Sequence, residues 1–75
     1  MKHILLDIIK AIVEDPDSVS VTEKVSGDTV VLELSVAKQD MGRVIGKEGK
    51  IAKSIRTVMR AAAAKENKRV IVDII

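Results

Sequence analysis

Residues 44–56 read Val44-Ile45-Gly46-Lys47-Glu48-Gly49-Lys50-Ile51-Ala52-Lys53-Ser54-Ile55-Arg56. This is a Gly-x-x-Gly loop set between two helix-like segments, with basic side chains in it and just after it. Glycine at 46 and 49 removes two β-carbons from a short turn, which lets a ligand's backbone lie against the protein main chain. The spacing predicts that the next helix begins at Gly49 or Lys50, where its first N–H groups lack partners inside the helix. Such an end attracts anions through its free donors and its dipole, and Lys47 and Lys50 add full charges beside it. The chemistry implied is a phosphate chain.

Upstream of the loop, apolar residues recur at helical spacing from His3 to Glu14 (Ile4, Leu5, Ile8, Ile9, Ile12, Val13). Asp15-Pro16-Asp17 ends that helix, because the residue before a proline disfavours the α region. The period then changes to two. Val19, Val21 and Val25 predict one strand and Val30, Leu32, Leu34 and Val36 a second, with Ser26-Gly27-Asp28 as a hairpin turn between them. Asp40 reads as the N-cap of a short helix over 41–45 that stops at Gly46.

Downstream, the long helix runs to Lys65, with Ile51, Ile55, Val58, Met59 and Ala62 along one face. Lys50, Lys53, Arg56 and Arg60 occupy a neighbouring face at spacings of three, three and four. Glu66-Asn67-Lys68 is a turn, and residues 69–75 are rich in β-branched side chains and predict a final strand. The order is α-β-β-α-α-β, an α+β fold. A crossover through two helices is the length that joins parallel strands. Whether the last strand is central or at an edge stays open at this point.

Size and composition bound the possibilities. The 75 residues predict one small domain over 1–75, and a domain of this size buries only about 60% of its unfolded surface, so function belongs on the surface or in a shallow groove. Phe, Tyr and Trp are absent, which argues against modules that stack bases on aromatic rings. Cysteine is absent and there is one histidine. That leaves no disulfide, no thiolate and no zinc site, and no cofactor is expected. Asp7 and Lys10 interrupt the N-terminal apolar run before it could serve as a signal-peptide core or a membrane span, so a cytoplasmic location is expected.

Charge is split along the chain. Residues 1–37 carry three Lys against seven acids, a balance of −4, whereas residues 38–75 carry ten Lys or Arg against four acids, a balance of +6. A basic side of this kind suits a polyanion without high overall charge.

A nucleotide-binding P-loop is excluded by spacing. Gly42-x-x-x-Gly46-Lys47 is one residue short, and Glu48 stands where Ser or Thr would meet magnesium. No nucleophile sits beside a base, and the carboxylates fall at solvent-facing or turn positions, so an enzyme is not expected.

The stretch from Val44 to Ile55 resembles the signature of the KH domain, an Ile-Gly-x-x-Gly core followed by a basic residue and an isoleucine. With two strands before the motif and one after it, the order resembles the type II, prokaryotic KH topology, a three-stranded mixed sheet packed against helices. The whole chain is similar to the KhpA family of small bacterial proteins made of a single KH domain. The resemblance implies that about four nucleotides of single-stranded RNA are clamped against an aliphatic groove, and that the protein acts as a post-transcriptional regulator or RNA chaperone. It implies a homodimer, or a heterodimer with a larger KH-containing protein of the Jag or KhpB type.

By position, the resemblance makes Gly46, Lys47, Glu48 and Gly49 the loop, with Arg43, Lys50 and Lys53 flanking it. Val44 and Ile45 form the groove floor, with Val36 on the other side. Glu48 departs from a fully basic loop and either opposes phosphate or points away.

Blander readings stand beside these. An isolated Gly-x-x-Gly reads first as a helix C-cap and tight turn, and its surroundings here reverse that preference in favour of a ligand loop. Exposed lysines commonly form a solvated helix face. For Arg56 and Arg60, a solvated or partner-contacting role fits at least as well as RNA contact. In an alternative reading the chain is a protein-interaction or dimerisation module in which RNA contact is secondary.

Overall fold

The computed structural model describes residues 1–75. The first helix, α1, covers Lys2–Ile12 and ends two residues earlier than the apolar periodicity suggests, because Val13 is already extended. A single 3-10 turn at Pro16–Ser18 follows. Strand β1 (Ser20–Ser26) and strand β2 (Thr29–Ser35) form the expected hairpin, with Ser26 opposite Thr29, so the loop is only Gly27-Asp28. Gly27 holds φ +57 and Asp28 has a negative φ, the pattern that opens a two-residue turn with glycine first.

Helix α2 covers Met41–Ile45, a 3-10 turn covers Lys47–Gly49, and helix α3 runs Lys50–Lys65. Asn67 ends α3 at φ +56, with the Lys68 N–H donating to the Ala63 carbonyl and the Asn67 N–H to the Ala64 carbonyl. These are the two bonds of a Schellman cap, with asparagine in the left-handed position that glycine usually takes. Strand β3 (Arg69–Ile74) pairs parallel with β2, as the crossover length requires. The sheet order β1-β2-β3 puts β2 in the centre and β3 at an edge, which settles the question the sequence left open.

One face of the sheet carries the helices. Leu5 and Ile9 of α1, Val30, Leu32 and Leu34 of β2, Val44 of α2, Ile55 and Met59 of α3, and Val70 and Val72 of β3 form an aliphatic core. Each such side chain contributes about 1.5–3 kcal/mol by leaving water. The face that α3 buries is Ala52, Ile55, Met59 and Ala63. This corrects the face drawn from the sequence, since Ile51 and Val58 are 40% and 49% exposed.

Asp40 is a second correction. It makes no cap bond to α2 and is not solvent-facing; it is fully buried, and its carboxylate accepts the N–H groups of Glu14 (2.9 Å) and Asp15 (3.1 Å). The physical reason lies at the end of α1. There the chain turns away from the helix before a proline, leaving two N–H groups that need an acceptor. Asp40 therefore ties the start of α2 to the end of α1.

Candidate nucleic-acid interface

The loop Gly46–Gly49 joins α2 to α3 with three of its four residues, Gly46, Glu48 and Gly49, at positive φ. Gly46 has φ +76 and ψ 176, a region open essentially to glycine alone. A β-carbon there would stand 2.6 Å from Cγ1 of Ile51. Glycine is thus required twice over, by dihedral and by the isoleucine that packs across it. Gly49 is left-handed (φ +74), but a β-carbon there would meet open space. Glu48 is also left-handed (φ 57, ψ 25), at a cost of about 1–2 kcal/mol for a side chain with a β-carbon.

The 3-10 turn spends donors that the sequence suggested were free. The Gly49 N–H donates to the Gly46 carbonyl at 3.2 Å and the Lys50 N–H to the Lys47 carbonyl. The loop's attraction for an anion therefore rests more on the exposed Lys47 and Lys50 than on those two main-chain groups.

An open groove of about 370 Å³ starts at this loop, lined by Met41, Ile45, Gly49, Ala52, Lys53, Arg56 and Ile74. Met41 and Ile45 come from the same face of α2, Ala52 provides a low floor on α3, and Lys53 and Arg56 stand along α3. The far wall is β3. The Arg69 N–H donates to the carbonyl of Asp28, just before β2, and the Ile75 N–H to that of Leu34 in β2, so the alternation of a parallel ladder turns the main-chain groups of Val70, Val72 and Ile74 away from β2. Nε of Arg56 donates to the Val72 carbonyl at 3.3 Å. The groove thus combines an aliphatic floor, two cations and an unpaired strand edge.

The structure brings Ile45, Gly49 and Lys53 together on this groove, with Lys47, Glu48 and Lys50 exposed at its loop end. Three assigned residues lie elsewhere. Val44 is sealed in the core and supports the floor from beneath. Val36 is also a core residue, and the opposite wall comes from β3 through Ile74. Arg43 turns from the groove: its Nη2 pairs with Oε1 of Glu14, and its Nε lies 3.9 Å from Oδ1 of Asp40. The residue that sequence reasoning undervalued is Arg56. Its signal was the spacing that follows Lys53 on one helical face.

The sequence profile described as "KhpA/KhpB, KH domain" matches residues 2–74. A Clostridium acetobutylicum protein named "RNA-binding protein KhpA" is 57% identical over 75 residues, covering all of both chains. Proteins of the same name are 52% identical in Caldanaerobacter subterraneus, again over both full lengths, and 45% identical in Chlamydia pneumoniae, over 99% of this chain and 95% of that one.

Proposed function

The chain belongs to the KhpA/KhpB KH-domain family, a family that is not enzymatic, and from that premise we propose that it binds single-stranded RNA in the groove between α2, α3 and β3. One observation carries this reading. The glycine loop, with Lys47 and Lys50 exposed, opens directly onto an aliphatic groove whose far wall is an unpaired strand edge. Lysines at the loop hold the phosphates, about four nucleotides lie along the groove, and bases pack on Ile45, Ala52 and Ile74. Arg56 and the outward groups of β3 offer hydrogen bonds to base edges. No aromatic ring takes part, so discrimination among bases is modest. The relatives carry the printed name of RNA-binding proteins, and the reading extends that property to this chain as a cytoplasmic post-transcriptional regulator or RNA chaperone.

The testing experiment is a double substitution, Lys47→Asp with Glu48→Asp, measured by fluorescence anisotropy on a labelled oligouridylate. The expected outcome is an intact fold with RNA affinity reduced at least tenfold.

A separate observation favours a second role, in protein association. Ile8 and Ile12 of α1 and Ile51, Ser54, Ile55 and Val58 of α3 line an open apolar groove of about 430 Å³, on a different side of α3 from the cations. Exposed aliphatic surface of this kind marks an association site. Its occupant in this reading is a second copy of the chain or a larger KH-containing protein. Pairing would give two RNA grooves per particle and raise avidity without new RNA contacts.

A further inference from the structure

Next to the groove, and sharing Arg56 with it, lies a notch of about 210 Å³ between α3 and β3, lined by Arg56, Arg60, Val70, Ile71 and Val72. We propose that this notch is a second nucleotide subsite, which takes the RNA that leaves the groove at the end remote from the glycine loop. The inference rests on the RNA-binding reading of the groove.

Three observations carry it. First, the notch and the groove meet at one residue, so a strand lying along β3 passes from one to the other without leaving the protein. Second, Lys53, Arg56 and Arg60 lie three and four residues apart on α3, which places them about 4.5 and 6 Å apart along the helix axis. That succession of cations follows the direction a phosphate backbone would take. None of the three forms an ion pair within the chain, where Lys24 and Arg43 are the cations that do. Third, the wall of the notch is the same unpaired strand edge. Val70 turns its N–H and C=O outward as Val72 does, and at Val72 only the carbonyl is engaged, by Arg56.

The division of labour follows from chemistry. Arg56 is held by the strand edge through Nε and lines both depressions, with no protein partner on its Nη groups. Arg60 is exposed and unpaired, and presents a planar fork suited to a phosphate or to a base edge. The ligand is thus an RNA longer than the four nucleotides the groove holds, and the notch adds one or two.

The test uses the full chain and labelled oligouridylates of four and seven nucleotides. For the wild type, affinity should rise about five- to tenfold from four to seven nucleotides. Arg60→Gln should leave tetranucleotide binding within twofold of wild type and reduce the length gain to less than twofold. Its salt dependence on the heptanucleotide should be shallower by about 0.7 in log–log slope, the share of one single-strand phosphate. Lys10→Gln, an equal charge change on α1, should keep the full length gain. Amide chemical shifts of Val70 and Ile71 should move with the heptanucleotide and not with the tetranucleotide.

An Arg60→Gln variant with the wild-type length gain, or unmoved shifts at Val70 and Ile71, would overturn the second subsite while leaving the groove reading intact. Loss of tetranucleotide binding in Arg60→Gln would also overturn it, by assigning Arg60 to the first four nucleotides. The loop double variant reports on the groove separately. Should that variant bind the tetranucleotide as wild type does, the groove reading fails and the subsite with it.

Discussion

Ile51 packs so closely across Gly46 that a β-carbon on the glycine would lie 2.6 Å from Ile51 Cγ1. The two glycines of the loop are therefore not equivalent. Gly46→Ala meets both a forbidden dihedral region and a side chain on the rigid first turn of α3, and should destabilise by about 2–4 kcal/mol. Gly49→Ala meets only the left-handed penalty and should cost about 1 kcal/mol. Urea denaturation of the two variants checks the order. Equal costs would contradict the packing account of Gly46.

Asp40 holds the α1 end and the α2 start together with two charge-assisted hydrogen bonds. Asp40→Ala leaves the N–H groups of Glu14 and Asp15 without an acceptor, and should cost about 2–4 kcal/mol in equilibrium unfolding. Arg43→Gln removes a pair whose side chains are 53% and 63% exposed, and should cost less than about 1 kcal/mol. If the arginine matters more than the aspartate, the buried tie is not what joins the two helices.

Much of this fold was legible in the sequence, because alternation and helical spacing are local signals. The hairpin of Val21 to Leu34, the short helix before Gly46 and the long helix after it all follow from periods of two and 3.6. The parallel placement of β3 follows from crossover length. Asp40 was misread because its partners are 25 and 26 residues away, and an aspartate just before a helix gives the local signature of an N-cap whatever it binds. The buried face of α3 was misjudged for a related reason. Ile51 and Val58 are as apolar as Ile55, and only the packing of the sheet selects the narrower stripe through Ala52 and Ala63.

The same limit governs the site. Gly46, Lys47 and Gly49 announce themselves by spacing. That β3 rather than Val36 forms the opposite wall, and that Arg43 is drawn to Glu14, depends on which strand the crossover leaves at the edge.

Glu48 places a left-handed backbone and a negative charge in a loop otherwise suited to phosphate. Glu48→Gly relieves the first and removes the second. Stability should stay within about 1 kcal/mol of wild type, since relief of strain offsets the added freedom of the unfolded chain. RNA affinity should rise several-fold in anisotropy titrations at low salt, and less at high salt. Unchanged affinity would mean that the carboxylate points away from the RNA path.

Val58 is half exposed on the apolar groove between α1 and α3. Val58→Glu introduces a good helix former bearing a charge, and should leave the thermal midpoint of the monomer nearly unchanged while weakening self-association at least tenfold. Sedimentation equilibrium measures this. A wild type that stays monomeric at high micromolar concentration would remove the second copy as occupant of that groove.

The most direct test of the central claim, that RNA is held through the glycine loop, is a side-by-side anisotropy titration of wild type and the Lys47→Asp, Glu48→Asp double variant on one labelled oligouridylate. Circular dichroism would verify that both are folded. The account predicts a native spectrum and at least a tenfold loss of affinity in the variant. Undiminished binding by a folded double variant would contradict it.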